Sequence, residues 1–311
     1  MKIVFMGTPM PAVPALERIL QDGHEIAAVY TQPDKPSGRG NKIALSPIKE
    51  FALQHELRVL QPTKIKTAEA LEEFISHNAD VAVVVAYGRI LPEGFLNAFP
   101  NGAINVHFSL LPKYRGAAPV NWAIANGESK TGVTTMQMDA GLDTGDILIM
   151  RETRIDPQET AIDLMDRLSM IGADLLSETL AKYDGLVGRP QDNDEATFAP
   201  KMKREDGLIN WEMTAGAISN RVRGFQPFPA SFTYFNGQKL TIWKAKDILS
   251  FELLALSAGE ISEAKGDNLI VSSGEKTFLK IEELQIEGKR RMPTRDFLNG
   301  IKVQIGEMLC E

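Results

Sequence analysis

At 311 residues, 43% of them hydrophobic, the chain exceeds the usual size of one domain and can bury a sizeable core, so two domains are expected. A net charge of −7 argues against a basic coat over the whole surface and leaves any nucleic-acid contact to clustered basic segments. The lone cysteine, Cys310, excludes an intrachain disulfide and a multi-cysteine zinc site, and it suits a reducing cytosol.

The first apolar run is interrupted by Gly7, Pro9, Pro11 and Pro14, which leaves no signal-peptide core. Lys2 to Met6, Glu25 to Thr31, Asp80 to Tyr87 and Ala103 to Phe108 are short apolar segments bounded by Gly, Pro or polar residues, and they predict buried strands. The longest apolar run, Val81 to Tyr87, is far short of the roughly 20 residues that cross a bilayer. A cytoplasmic protein with no membrane role is therefore expected. Between the first two strands, Val13, Leu16, Ile19 and Leu20 recur at helical spacing, with Gly23 as the stop. A second helix is expected from about Ala68 to Ser76. Strand and helix alternate, which favours a parallel α/β sheet. The first strand ends in Met6-Gly7-Thr8-Pro9, without the spaced glycines of a dinucleotide fingerprint. Gly132 to Met138 and Asp146 to Arg151 predict further strands flanking a Gly- and Asp-rich loop.

Turn-forming residues from about Gly188 to Ala199 mark a boundary, and the pattern changes after it. The division expected is a catalytic domain over 1–188, a linker over 189–204 and a second domain over 205–311. In the second, Thr214 to Arg223 predicts a capped helix. Ser231 to Phe235 and Lys239 to Lys244 alternate around Asn236-Gly237, a hairpin signal. With strand-like stretches at Asn268 to Ser272 and Thr277 to Ile286, they suggest a small β-barrel.

Two stretches carry candidate chemistry. In an extended strand Asn105 and His107 point to the same side, so both can face one pocket. An Asn amide suits a developing oxyanion and a His exchanges protons near neutral pH, although satisfied strand-end hydrogen bonds explain the pair equally well. The second stretch, Met138 to Asp146, packs two glycines and three carboxylates into nine residues. Such a loop can approach a ligand with its backbone, and one Asp beside His107 would fix the ring; solvated turn carboxylates are the plainer alternative. The acidic spacing is not that of an EF-hand and the four histidines are scattered, so no metal is expected.

Asn105-Val-His107 followed by Ser109-Leu-Leu-Pro112, with Asp139-Ala-Gly-Leu-Asp143-Thr-Gly downstream, resembles the folate-dependent formyltransferase family. The resemblance implies a Rossmann-like catalytic domain that binds 10-formyltetrahydrofolate as a consumed cosubstrate. It implies Asn105, His107 and Asp143 as the catalytic trio, with Ser109, Leu110, Leu111 and Pro112 lining the folate site. Ala86-Tyr-Gly-Arg-Ile-Leu-Pro92 resembles the family's pterin-contacting loop, with backbone near Ile90 and Leu91 reading the ring. Phe108 stands where the family often has a small residue.

Gln32 to Lys42, leading to Ser46-Pro-Ile-Lys49, resembles the insertion that marks the branch whose acceptor is methionyl initiator tRNA. From Asp34 to Lys49 it carries four basic residues and one acid, which makes Lys35, Arg39 and Lys42 the expected tRNA contacts. Ile209-Asn-Trp-Glu212, Val222-Arg-Gly-Phe-Gln-Pro-Phe-Pro229 and Gly288-Lys-Arg-Arg-Met292 resemble parts of that branch's C-terminal domain, implying an OB-like, tRNA-binding barrel. The implied reaction gives N-formylmethionyl-tRNA for translation initiation, and a monomer is expected. A Rossmann-type oxidoreductase and a noncatalytic RNA-binding protein are the competing classes; the first needs a nicotinamide site, and the second would not turn over the folate donor.

Overall fold

The computed structural model of the protein describes residues 1–37, 42–249 and 256–309, apart from the side chains of 36, 37, 42 and 43. In chain order the elements are β1 (Lys2–Gly7), α1 (Val13–Gln21), β2 (Glu25–Tyr30), β3 (Lys35–Ser37), β4 (Lys42–Ala44), α2 (Pro47–Gln54), β5 (Val59–Leu60), α3 (Ala68–Ile75) and β6 (Val81–Val85). There follow α4 (Glu93–Leu96), β7 (Ala103–His107), β8 (Arg115–Gly116), α5 (Pro119–Ala125), β9 (Lys130–Gln137), β10 (Ile147–Arg154), α6 (Ala161–Lys182) and β11 (Phe198–Ala199). The remainder is α7 (Ala215–Gly224), β12 (Ser231–Phe235), β13 (Gln238–Ile248), β14 (Ile261–Lys265), β15 (Asn268–Ser273), β16 (Thr277–Ile286), β17 (Met292–Pro293) and α8 (Thr294–Gly300). The chain divides into two compact units. The first comprises 1–116, 130–154 and 165–199, and the second 117–129, 155–164 and 200–311.

The first unit is built on a seven-stranded sheet in the order β10-β9-β7-β6-β1-β2-β5. The parallel pairing expected from strand–helix alternation runs from β5 to β7. Beyond β7 the sheet departs from that expectation, because β9 pairs antiparallel with β7 and β10 antiparallel with β9. The short loop from Met138 to Asp146 can close only an antiparallel pair, since a parallel crossover needs about a dozen residues or more. Helix α1 starts with Pro14 in its first turn, buries Ala15, Leu16 and Ile19, and stops before Gly23 at φ +78°. Thr67 caps α3 by accepting from the Ala70 amide.

No element was predicted over Ala161–Lys182, where the 22-residue α6 lies. Its start is signalled by Thr160 and Asp163, which bond each other's backbone amides, and Leu168, Leu175, Leu176 and Leu180 are buried along it. Within the predicted linker, Arg189 pairs with Ile147 and β11 runs parallel to β8, all inside the first unit.

The second unit holds an antiparallel sheet in the order β12-β13-β16-β15-β14, with β17 also on β16. The Asn236-Gly237 hairpin forms as the dipeptide predicts, with both residues at positive φ. Trp211, Ile218, Val222, Leu240, Leu279 and Ile281 belong to its core.

Candidate active site

The parallel strands determine where a ligand belongs. Chain connection runs outward from β1 to β2 on one side and returns to β6 on the other, so the loops leaving β1 and β6 diverge. Such a switch point opens a crevice at the carboxyl ends of the strands. Gly7 is required there, because a Cβ would meet the Val85 carbonyl at 3.0 Å and the Phe5 ring at 2.8 Å. The Tyr87 carbonyl, on the β6 side, accepts from Thr8 Oγ1 at 3.2 Å and from Gln32 Nε2 at 3.1 Å.

The loop after β6 turns through positive φ at Ala86 and Gly88. Ile90 is exposed and Leu91 buried. Among the described residues no hydrogen bond uses the backbone groups of Arg89, Ile90 or Leu91, so their N–H and C=O groups can meet an edge of a polar ring. Arg89 steadies the loop by donating to Gln32 Oε1 and the Pro62 carbonyl. The Tyr87 hydroxyl is buried with no partner among the described residues, and burial raises its pKa.

Strand β7 delivers the next residues. Val106 and Phe108 turn to the α6 side, packing where Gly172 has no side chain; a Cβ there would lie 3.0 Å from Val106 and 3.4 Å from Phe108. The unusual Phe108 is therefore accommodated by a glycine on the facing helix. Asn105 and His107 take the opposite direction, Asn105 half-buried and His107 buried. The His107 Nε2–H donates to the Tyr114 carbonyl at 2.9 Å, an assignment fixed because a carbonyl only accepts. Nδ1 faces the Asp143 carboxylate at 3.8 Å, beyond direct hydrogen-bond range.

The segment after His107 is held from β9. Thr134 Oγ1 accepts from the Leu111 amide and donates to the Ser109 carbonyl, while Ser109 Oγ donates to the Lys113 carbonyl. Ser109 and Leu111 are buried and Leu110 and Pro112 half-buried.

The carboxylate-rich loop has internal and external ties. Asp139 accepts from the Gly141 amide and Thr144 hydroxyl. Asp143 sits at φ +54°, and its carboxylate accepts from the Gly116 amide at 2.8 Å. Gly145 is obligatory, since a Cβ would fall 1.8 Å from the Gln137 carbonyl. Three further residues were not singled out from the sequence: Tyr114, whose carbonyl holds His107, together with Arg115 and Gln191. No local pattern announces Arg115 and Gln191, because their bonds join distant parts of the chain.

Of the expected acceptor contacts, Lys35 is exposed at the start of the β3–β4 hairpin. Lys42 is described only by its backbone in β4, and Arg39 lies outside the described residues. Beneath the hairpin, Lys49 Nζ donates to Asp34 at 2.5 Å and to Gln61 at 2.7 Å, and Gln61 donates on to Asp34 and the Gln32 carbonyl. The Lys49 and Gln61 hydrogen bonds hold the Asp34 carboxyl below its usual range. Among the described residues no group of three or more His, Cys, Asp or Glu is gathered as for a metal ion, and no helix is long and apolar enough to cross a membrane.

The Formyl transferase family matches residues 1–180, and the Formyl transferase C-terminal domain matches residues 201–302. The chain belongs to the formyltransferase family. This formyltransferase is 48% identical over 313 residues to the methionyl-tRNA formyltransferase of Solibacter usitatus, covering 100% of this chain and 99% of that one. It is 47% identical over 311 residues to that of Acetivibrio thermocellus, with 99% of each covered. Its fold resembles an N-formyltransferase of Helicobacter canadensis solved with folinic acid and dTDP-3-aminofucose, at a TM-score of 0.70, 21% identity and coverage of 90% and 98%. It also resembles a methionyl-tRNA formyltransferase structure from Clostridium thermocellum, at 0.57, 20% identity and coverage of 79% and 93%. The solved structures bear on the fold; the curated relatives extend the likeness across the entire chain.

Proposed function

We propose that this formyltransferase moves the formyl group of 10-formyltetrahydrofolate onto the α-amino group of methionyl initiator tRNA. The observation that carries this reading is the 48% identity, along the whole chain, to a protein bearing that activity in its name. The unbonded backbone groups of Arg89 to Leu91 in the loop at the switch point support a folate ring there, and Asn105, His107 and Asp143 support the chemistry.

Attack of the amine on the formyl carbon makes a tetrahedral centre whose oxygen gains negative charge. The Asn105 amide donates to that oxygen. His107 Nε2–H is committed to Tyr114, so Nδ1 is the ring atom left to act; protonated there, the ring donates toward the oxyanion, balanced by Asp143. Asp143 takes the proton from the attacking amine, directly or through water, and the leaving folate nitrogen receives it as the carbon–nitrogen bond breaks. Catalytic hydrogen bonds of this kind often shorten only when substrate is present, which suits the 3.8 Å spacing. The positive loop around Lys35, Arg39 and Lys42 meets phosphates near the acceptor end of the tRNA, and the 205–311 domain supplies further tRNA contacts. The protein acts as a monomer in the cytoplasm without a metal.

The test offers 10-formyltetrahydrofolate together with charged initiator tRNA, glycinamide ribonucleotide or an amino-sugar nucleotide. Formyl transfer to the tRNA alone is expected. Transfer to either small acceptor, or none to tRNA, overturns the reading.

A further inference from the structure

We propose that Gln191 is a positioning residue for formyl transfer, holding the Asp143 backbone so that its carboxylate faces His107. The proposal rests on the reading of Asp143 as the group that serves His107. Gln191 lies in the segment the sequence marks as a linker, yet its side chain reaches the carboxylate loop. Its Nε2 donates to the Asp143 carbonyl at 2.9 Å and to the Gly145 carbonyl at 2.7 Å. Its Oε1 accepts from Arg115 Nε at 3.0 Å and Nη2 at 2.8 Å. The neighbours settle the amide orientation, because a guanidinium only donates and carbonyls only accept.

These contacts close a circuit. Arg115 is buried, also donates to Asn193 Oδ1, and directly precedes Gly116, whose amide holds the Asp143 carboxylate. Gln191 thus grips Asp143 twice, at its carbonyl and, through β8, at the amide that aims its carboxylate. Such a grip is needed: Asp143 sits in the left-handed region at φ +54°, which a non-glycine residue keeps only when its surroundings enforce it. Removing the amide leaves two carbonyls and a buried guanidinium short of partners at once.

The experiment compares Gln191→Glu and Gln191→Leu with Asp143→Asn. Glu preserves the shape but turns an oxygen toward the two carbonyls, so it serves even if the Leu variant folds poorly. In single-turnover transfer at saturating donor and tRNA, each Gln191 variant is expected to slow by about 10²-fold, the scale of a misplaced catalytic group. Apparent affinities for both substrates stay unchanged, and the pH profile changes as it does in Asp143→Asn. The Gln191→Glu/Asp143→Asn double variant is no slower than Asp143→Asn alone, because the two act as one unit. Multiplying losses with a wild-type pH profile, or wild-type rates, overturn the proposal. The ¹⁵N signals of the His107 ring, recorded without substrate, give a second reading: they move in Gln191→Glu in the same direction as in Asp143→Asn. Unmoved signals also overturn it. A wild-type chain inactive on tRNA would sink the functional reading alone, leaving this ring measurement to decide on Gln191.

Discussion

Two turn-rich loops of this chain carry opposite charge and have opposite construction. Met138 to Asp146 and Asp34 to Lys49 are both rich in Gly, Pro, Ser, Thr or Asp and both carry a charge cluster. The first is fastened throughout: Thr144 to Asp139, Gly116 to Asp143, Gln191 to two carbonyls, and Gly145 pressed on Gln137. The second is fastened, among the described residues, by the β3–β4 ladder and, where it leaves β2 and enters α2, by Lys49, Asp34 and Gln61 and by the Thr31–Ser46 hydroxyl pair. Composition leaves the role of either loop open; on the proposed function, tertiary hydrogen bonds distinguish the one that positions a chemical group from the one that reaches for a large partner.

If that contrast is right, the largest effects on chemistry come from the group-positioning side. Asn105→Ala and His107→Ala should each slow single-turnover transfer by about 10²- to 10³-fold, with thermal melts near wild type. Near-normal rates in either folded variant would remove that residue from the catalytic trio. Gly145→Ala forces a methyl group against the Gln137 carbonyl, so a stability loss of roughly 1–3 kcal/mol and a matching fall in activity are expected. Denaturant unfolding checks the first and the transfer assay the second.

The reaching loop should respond in binding rather than in rate. Arg39→Ala is expected to weaken tRNA affinity and to lower the salt dependence of binding by about one charge equivalent, as for one lost phosphate contact. Unchanged affinity and slope across a salt series would take Arg39 out of the interface. The smallest effect concerns pH. Asp34 is held below the usual carboxylate range by hydrogen bonds from Lys49 and Gln61. A depressed carboxyl contributes its stabilisation above its unfolded-state pKa and loses it as pH falls through the lower folded value. The clasp should therefore persist from neutral through mildly acidic pH and open only in stronger acid. Carbon NMR titration of the Asp34 carboxyl checks this, with the midpoint expected to rise in Lys49→Met.

Much of this was legible along the chain wherever the signal is local. A period of two put Asn105 and His107 on one side of β7, and Asn236-Gly237 marked its hairpin, since both depend only on neighbouring residues. Helix α6 was equally legible, with Thr160 and Asp163 at its start and leucines at helical spacing, and was overlooked. The antiparallel β9 and β10 escaped because pairing direction depends on connection length, which the alternation pattern does not encode. Arg115 and Gln191 had no signal at all: they are separated by 76 residues and meet through tertiary contact. The proposed folate loop, Ala86 to Pro92, rests on resemblance, because an unbonded backbone at Ile90 leaves no mark on residue type.

The clasp beneath the β3–β4 hairpin has an evolutionary consequence. Asp34 and Lys49 meet at the point of departure and return, so the intervening chain behaves as a cassette whose ends are already joined. Doubling the length of such a closed loop costs only about 0.6 kcal/mol. The stretch can be lengthened, shortened or replaced while β1, β6 and the carboxylate loop keep their places. On the proposed function, a lineage could thus exchange one amine-bearing acceptor for another by rewriting the cassette, without renegotiating the handling of the formyl donor.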